Sequence, residues 1–235
     1  MSRTIWGVGT EGWGLGTFLV LGFLLTFGSP AFAKEPSADD SEVDLKITVR
    51  VYDYAQVSRG TLTAAERAAT GIFNAAGIEL TWVNCVGSSQ ASHNDLDCHH
   101  PLGNMEVVLR VLPRSTPVGA QFSGSVLGFS YGEAVASVFY DRIEDAANKM
   151  YGVWWVIPAI LGHVMAHELG HLFLGPGSHS DLGMMHGRWD QKDLRQAVYG
   201  RLLFTPQQAE LIHAEVLARL GQQRTTERNV LTKAM

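Results

Sequence analysis

Two histidines four residues apart, His167 and His171, enclose a glutamate, Glu168, in the run HELGH. On a helix such positions lie on one face, about one ~5.4 Å turn apart. Two imidazoles so placed can bind a single zinc ion. The glutamate between them leans toward the same ion and can take a proton from a water held there. The pattern is five letters long with two wild cards, so its surroundings have to decide.

The surroundings favour a metal. Ile160, Leu161, Val164, Met165, Leu169, Leu172, Phe173 and Leu174 make the helix mostly apolar, which predicts burial. Two histidines and a glutamate in a buried helix need partners, and a zinc ion supplies them. His163 extends the stripe by one turn, but His163 and His171 stand about 12 Å apart at ~1.5 Å per residue, too far to share an ion. The residue after His163 is Val164 and not a glutamate, so His163 is read as packing or as a hydrogen-bonding neighbour.

A catalytic zinc usually takes three protein ligands and leaves a fourth position open. A glutamate from a later helix would come with an N-E-x-x-S/D-like stretch, which is missing; Glu210 and Glu215 lack that setting. The other source is a histidine soon after a helix-ending glycine, which Gly175 and His179 provide. Asp181 is the alternative third ligand. His186 is read as a loop residue near the site, with a ligand or hydrogen-bond-donor role as the alternative.

Several elements must position these groups. Leu45 to Tyr52 alternates apolar and polar, as a strand does. Thr63-Ala64-Ala65-Glu66 is a capping box that predicts a helix through Ile72 and Phe73 to Gly77. Strands are expected at Ile78–Val83 and Met105–Leu112. A strand pair is expected at Ser125–Tyr131 and Ala134–Tyr140, joined at Gly132-Glu133. The helix bearing HELGH should run from about Pro158 to Leu174 and break at Gly175-Pro176-Gly177. The Trp154-Trp155 pair before it reads as packing. Further helices are expected over Asp190–Phe204 and from a second capping box, Thr205-Pro206-Gln207-Gln208. This is a single α+β domain over residues 44–220, with a polar tail at 221–235 expected to fray.

The 235 residues are 46% hydrophobic and 17% charged with net charge −5, and no basic stretch suggests a nucleic-acid partner. Residues 1–33 read as a secretory signal: no charge falls between Glu11 and Lys34, and Ala31-Phe32-Ala33 has the small-x-small pattern of a cleavage site. Retained, the same run is long enough to anchor the chain in a membrane. Residues 34–43 read as a loose leader. The mature part is expected to be secreted or periplasmic. Cys85 and Cys98 are then expected to form a disulfide, with a second metal site shared with His93, His99 and His100 as the alternative.

The run His167 to Met185, HELGHLFLGPGSHSDLGMM, resembles the zinc site of the metzincins, the zinc endopeptidases with H-E-x-x-H-x-x-G-x-x-H and a later Met-turn. The resemblance implies a mixed twisted sheet with an active-site helix and C-terminal helices. It implies His167, His171 and His179 as ligands of one catalytic zinc ion, Glu168 as general base, and Met185 or its neighbour Met184 as the Met-turn residue. The order of elements fits, and residues 127–145 resemble the edge strand and last strand of matrix metalloproteases. Here Gly175 comes four residues after His171 and His179 eight after, two more than the family pattern. The chain therefore looks like a divergent bacterial secreted metzincin-like protein. The expected activity is peptide-bond hydrolysis on a peptide or protein substrate. The alternatives are a non-catalytic zinc-binding module of the same fold and a zinc hydrolase of a non-peptide amide.

Overall fold

The computed structural model describes residues 44–85 and 96–234. The signal and leader expected over residues 1–43, and His93 in the expected disulfide loop, lie outside the described residues. The elements are β1 (Lys46–Asp53), α1 (Arg59–Asn74), β2 (Glu79–Cys85), α2 (Leu96–His99), β3 (Glu106–Leu112), β4 (Gly128–Tyr131), β5 (Val135–Phe139), α3 (Tyr140–Tyr151), α4 (Ile157–Leu174), α5 (Gln191–Val198) and α6 (Pro206–Ala234). The strands form one five-stranded sheet in the order β2-β1-β3-β5-β4. The first three pairings are parallel; β4 runs antiparallel to β5 and closes one edge. This is the small mixed sheet with packed helices that the sequence led one to expect.

The period of two along the strands sorts the sheet's faces. Ile47, Val49, Val51, Val107, Leu109, Val111, Ala136 and Val138 are buried in one core with the inner sides of α1 and α4. The other face is polar. There Arg50, 2% exposed, donates to Glu106 Oε2 at 2.7 Å and to the His100 carbonyl at 2.7 Å. A disulfide joins Cys85 at the end of β2 to Cys98 in α2. Among the described residues this excludes the alternative of a cysteine metal site.

Helix α4 is apolar on nearly every side because it is buried on nearly every side. The stretch Trp154–Leu174 is long and apolar enough to cross a membrane, yet most of it lies inside the fold. At Gly162 it meets α1 so closely that an added β-carbon would stand 2.5 Å from the Ala65 carbonyl oxygen.

The structure departs from the sequence expectation at several boundaries. Helix α1 starts a turn early because Ser58 caps it, accepting from the Thr61 amide at 3.2 Å. Helix α3 was not anticipated; its apolar anchors are sparse, with Ile143 and Ala147 four apart as the fully buried ones. Helix α5 ends at Val198 and not at Phe204. Gly200, at φ +64, turns the chain, and Leu202 and Phe204 enter the core from the non-helical segment that follows. Helix α6 continues through the polar tail to Ala234, with residues 224–229 exposed. Trp154 and Trp155, read as packing, are 78% and 60% exposed.

Candidate metal centre

Helix α4 carries His167 and His171 on one face, and the turn that follows brings His179 back to them. One ring nitrogen from each of the three lies within 4.8 Å of the other two. His171 Nε2 and His179 Nε2 are 3.1 Å apart. Two ligands of a tetrahedral zinc at ~2.0–2.1 Å stand about 3.3 Å apart, which the His171–His179 pair approaches, and a set of three imidazoles suits such an ion chemically.

The outer nitrogens are committed elsewhere. His167 Nδ1 donates to the Met184 carbonyl at 2.7 Å. A carbonyl only accepts, so Nε2 of His167 must present its lone pair. His171 Nδ1 lies 2.9 Å from Ser178 Oγ. Burial, reinforced by the neighbouring imidazoles, pushes His167 and His171 down to about 4. Near neutral pH both rings are therefore uncharged, the form that binds metal.

The two extra residues before His179 are absorbed in a braced loop. Gly175 ends α4 at φ +83 while its amide donates to the His171 carbonyl at 3.0 Å. Beyond His179, the Ser180 amide donates to the Met185 carbonyl at 2.9 Å. Gln208 of α6 donates to Ser180 Oγ at 2.9 Å. Gly187 backs the ring of His179, where a β-carbon would stand 2.8 Å from its Cγ.

Met184 and Met185 are both fully buried. Met184 offers the carbonyl that orients His167. Met185 places its sulfur 2.9 Å from where a β-carbon on Gly170 would be, beneath the stretch of helix between the two histidines. Phe204 and the non-helical segment before it back this turn, the Met184 amide donating to the Leu203 carbonyl at 2.8 Å.

Glu168 is 6% exposed and makes no hydrogen bond among the described residues. Burial pushes its carboxyl up to about 8. It lines a cleft of about 650 Å³ together with His167 and His179. One wall is the Ser123–Gly128 segment leading into β4; the other is His186 to Trp189. Trp189 meets His167 edge-on with centroids 5.7 Å apart. His186 donates from Nδ1 to Asp193 Oδ2 at 2.7 Å.

His163 stays out of the cluster, as expected: it bonds through Nδ1 to the Ala159 carbonyl of its own helix at 2.8 Å. Asp181 is exposed in the loop beyond His179 and is not part of the cluster. Sequence reasoning missed Gly128, Ser178, Asp193 and Trp189 as parts of the site. Only Gly128 left a signal, since glycine at a strand position marks a close approach.

No protein-family model and no curated protein matches the sequence. Among solved structures, the chain is similar to a zinc-dependent peptidase from Methanocorpusculum labreanum, at 15% identity and a TM-score of 0.46, over 70% of this chain and 99% of that one. It is also similar to archaemetzincin from Methanopyrus kandleri, at 14% identity and a TM-score of 0.45, over 75% of this chain and 98% of that one. At that level the likeness concerns only the path of the chain.

Proposed function

We propose that this chain is a secreted zinc-dependent endopeptidase of metzincin-like type. The observation that carries the reading is the convergence of His167, His171 and His179 beside a buried, unpaired Glu168 at the floor of an open cleft. A zinc ion held by the three Nε2 atoms would supply the positive charge that acidifies a water and polarises a carbonyl.

The protein's own groups do the rest. Met184 and Ser178 hold the imidazoles in register. Glu168 takes the proton of the attacking water and passes it to the leaving amine. A dication nearby favours its ionised form, against the burial that raises it. Met185 supports the helix from below as the Met-turn residue. A peptide lies along β4, which among the described residues pairs only with β5, so strand addition gives it backbone contacts. The Cys85–Cys98 disulfide suits an oxidising compartment, in keeping with residues 1–33 as a signal.

The test combines metal content with turnover of a peptide library by the wild type and by Glu168→Gln. One zinc per chain in both, with cleavage lost in the variant and on chelation, is the expected result. Full cleavage by Glu168→Gln overturns the role given to Glu168. Stoichiometric zinc with no cleavage by the wild type leaves the binding-module alternative, and cleavage of non-peptide amides alone leaves the other.

A further inference from the structure

The cleft wall opposite β4 carries a permanent cation, Arg188. It is exposed and has no hydrogen bond or ion pair among the described residues. The sequence explains why. The two acids that follow it closely are both engaged: Asp190 caps α5, accepting from the Lys192 and Asp193 amides at 2.6 and 3.0 Å. Asp193 accepts from His186 at 2.7 Å and from the Asp190 amide at 3.0 Å. Among the described residues the rest of the lining is serines, glycines, apolar side chains and imidazoles, and Glu168 is its one carboxylate.

We propose that Arg188 selects substrates by a carboxylate, either an acidic side chain or the free C-terminus of a short peptide. The proposal rests on the peptidase reading of the same cleft. A guanidinium presents a planar fork that matches a carboxylate with two parallel hydrogen bonds. Trp189 beside it gives an apolar surface for the methylenes of a glutamate. A hydrogen bond to a charged group in a half-enclosed cleft corresponds to roughly tenfold in selectivity.

The experiment uses zinc-loaded full chain and pairs of peptides that differ only by Glu against Gln at each position, or by C-terminal acid against amide. It measures kcat/KM with the wild type, Arg188→Ala and Arg188→Glu. It also measures Kd by anisotropy of labelled peptides with each of these changes in a Glu168→Gln background, so binding is read without turnover. The expected result is about tenfold preference for the carboxylate member of a pair, lost in Arg188→Ala and reversed toward the neutral member in Arg188→Glu. A response in the Glu/Gln pairs assigns a side chain, and one in the acid/amide pairs assigns the chain end. Equal rates and affinities within every pair, no peptide bound at all, or a preference unchanged by Arg188→Glu overturns the proposal. Selective binding without cleavage by the wild type overturns the peptidase reading and leaves this inference standing.

Discussion

Gly128 lies against Glu168 so closely that a β-carbon on Gly128 would stand 2.7 Å from Glu168 Cγ and 2.8 Å from Oε1. The same carbon would be 2.7 Å from the Ser137 carbonyl oxygen of β5, which cannot swing aside as a side chain can. The edge strand β4 and helix α4 are thus in contact through a residue without a side chain. Gly128→Ala must move either the carboxylate or the strand. The expected outcome is a kcat/KM lower by about 10²-fold, the scale of a ~1 Å misplacement, with a stability loss of roughly 1–3 kcal/mol from overpacking. Peptide turnover and a thermal melt check both. Wild-type turnover in Gly128→Ala would mean that Glu168 is not held by this contact.

The three imidazoles differ in what else depends on them. His179 is exposed on its loop, whereas His167 is buried with Nδ1 bonded to Met184. His179→Ala should therefore abolish metal-induced stabilisation and leave the metal-free melting temperature near the wild-type value. His167→Ala should lower the metal-free value as well, because the Met184 carbonyl loses its donor and a cavity opens. In the wild type, free zinc at about 1,000 times Kd adds roughly 4 kcal/mol, or about 8–16 °C for a chain of this size. Melts with and without chelator give the answer. An unchanged zinc shift in His179→Ala would remove it from the ligand set.

Much of this site could be read from local spacing, because HELGH is one turn of one helix and its apolar flanks announce burial. The return of His179 was legible as a candidate, but its arrival depends on tertiary bonds. Ser180 to Met185 and Gln208 to Ser180 span stretches of chain that no spacing rule connects. Gly128 and Asp193 reach the site by folding alone. The missed helix α3 has the same origin in reverse: its buried residues are too few to impose a period, and packing against α4 makes up for weak local signals. Parallel strands β1 and β3 were legible because their inward residues, Ile47, Val49 and Val51 and then Val107, Leu109 and Val111, recur at every second position.

Glu66 offers a pH test away from the site. It is 7% exposed on α1, with Oε1 unpartnered among the described residues. Burial raises its carboxyl above the ordinary value of 4.5, and a hydrogen bond with Asn84 opposes the shift. A raised carboxyl favours the fold only while protonated. Its contribution is therefore fully present below the unfolded value and is lost as pH rises through the folded one. Glu66→Gln removes the charge and should melt higher near neutral pH, by roughly 2–4 °C if the gain is about 1 kcal/mol. The gap should close below about pH 4, where both side chains are neutral. Paired melts from acid to neutral pH test this; a gap independent of pH would assign the effect to packing.

The Cys85–Cys98 disulfide lies at the opposite end of the sheet from the cleft, since β2 and β4 are the two outer strands. With its cysteines 13 apart in sequence numbering, it closes a short loop, for which chain entropy gives about 3 kcal/mol. The same segment delivers His100 to the buried Arg50–Glu106 pair and the Cys98 carbonyl to the Tyr52 hydroxyl at 3.0 Å. Freeing it exposes one face of β1 without touching α4. The double substitution Cys85→Ser with Cys98→Ser should lower the melting temperature by roughly 6–12 °C. Below that transition, kcat/KM and zinc content should stay at wild-type values. Reduction by dithiol should reproduce the shift in the wild type and do nothing further to the variant. A loss of zinc or of turnover well below the melt would show that the far edge of the sheet reaches the site through β1 and β3, and that the disulfide helps set the position of β4.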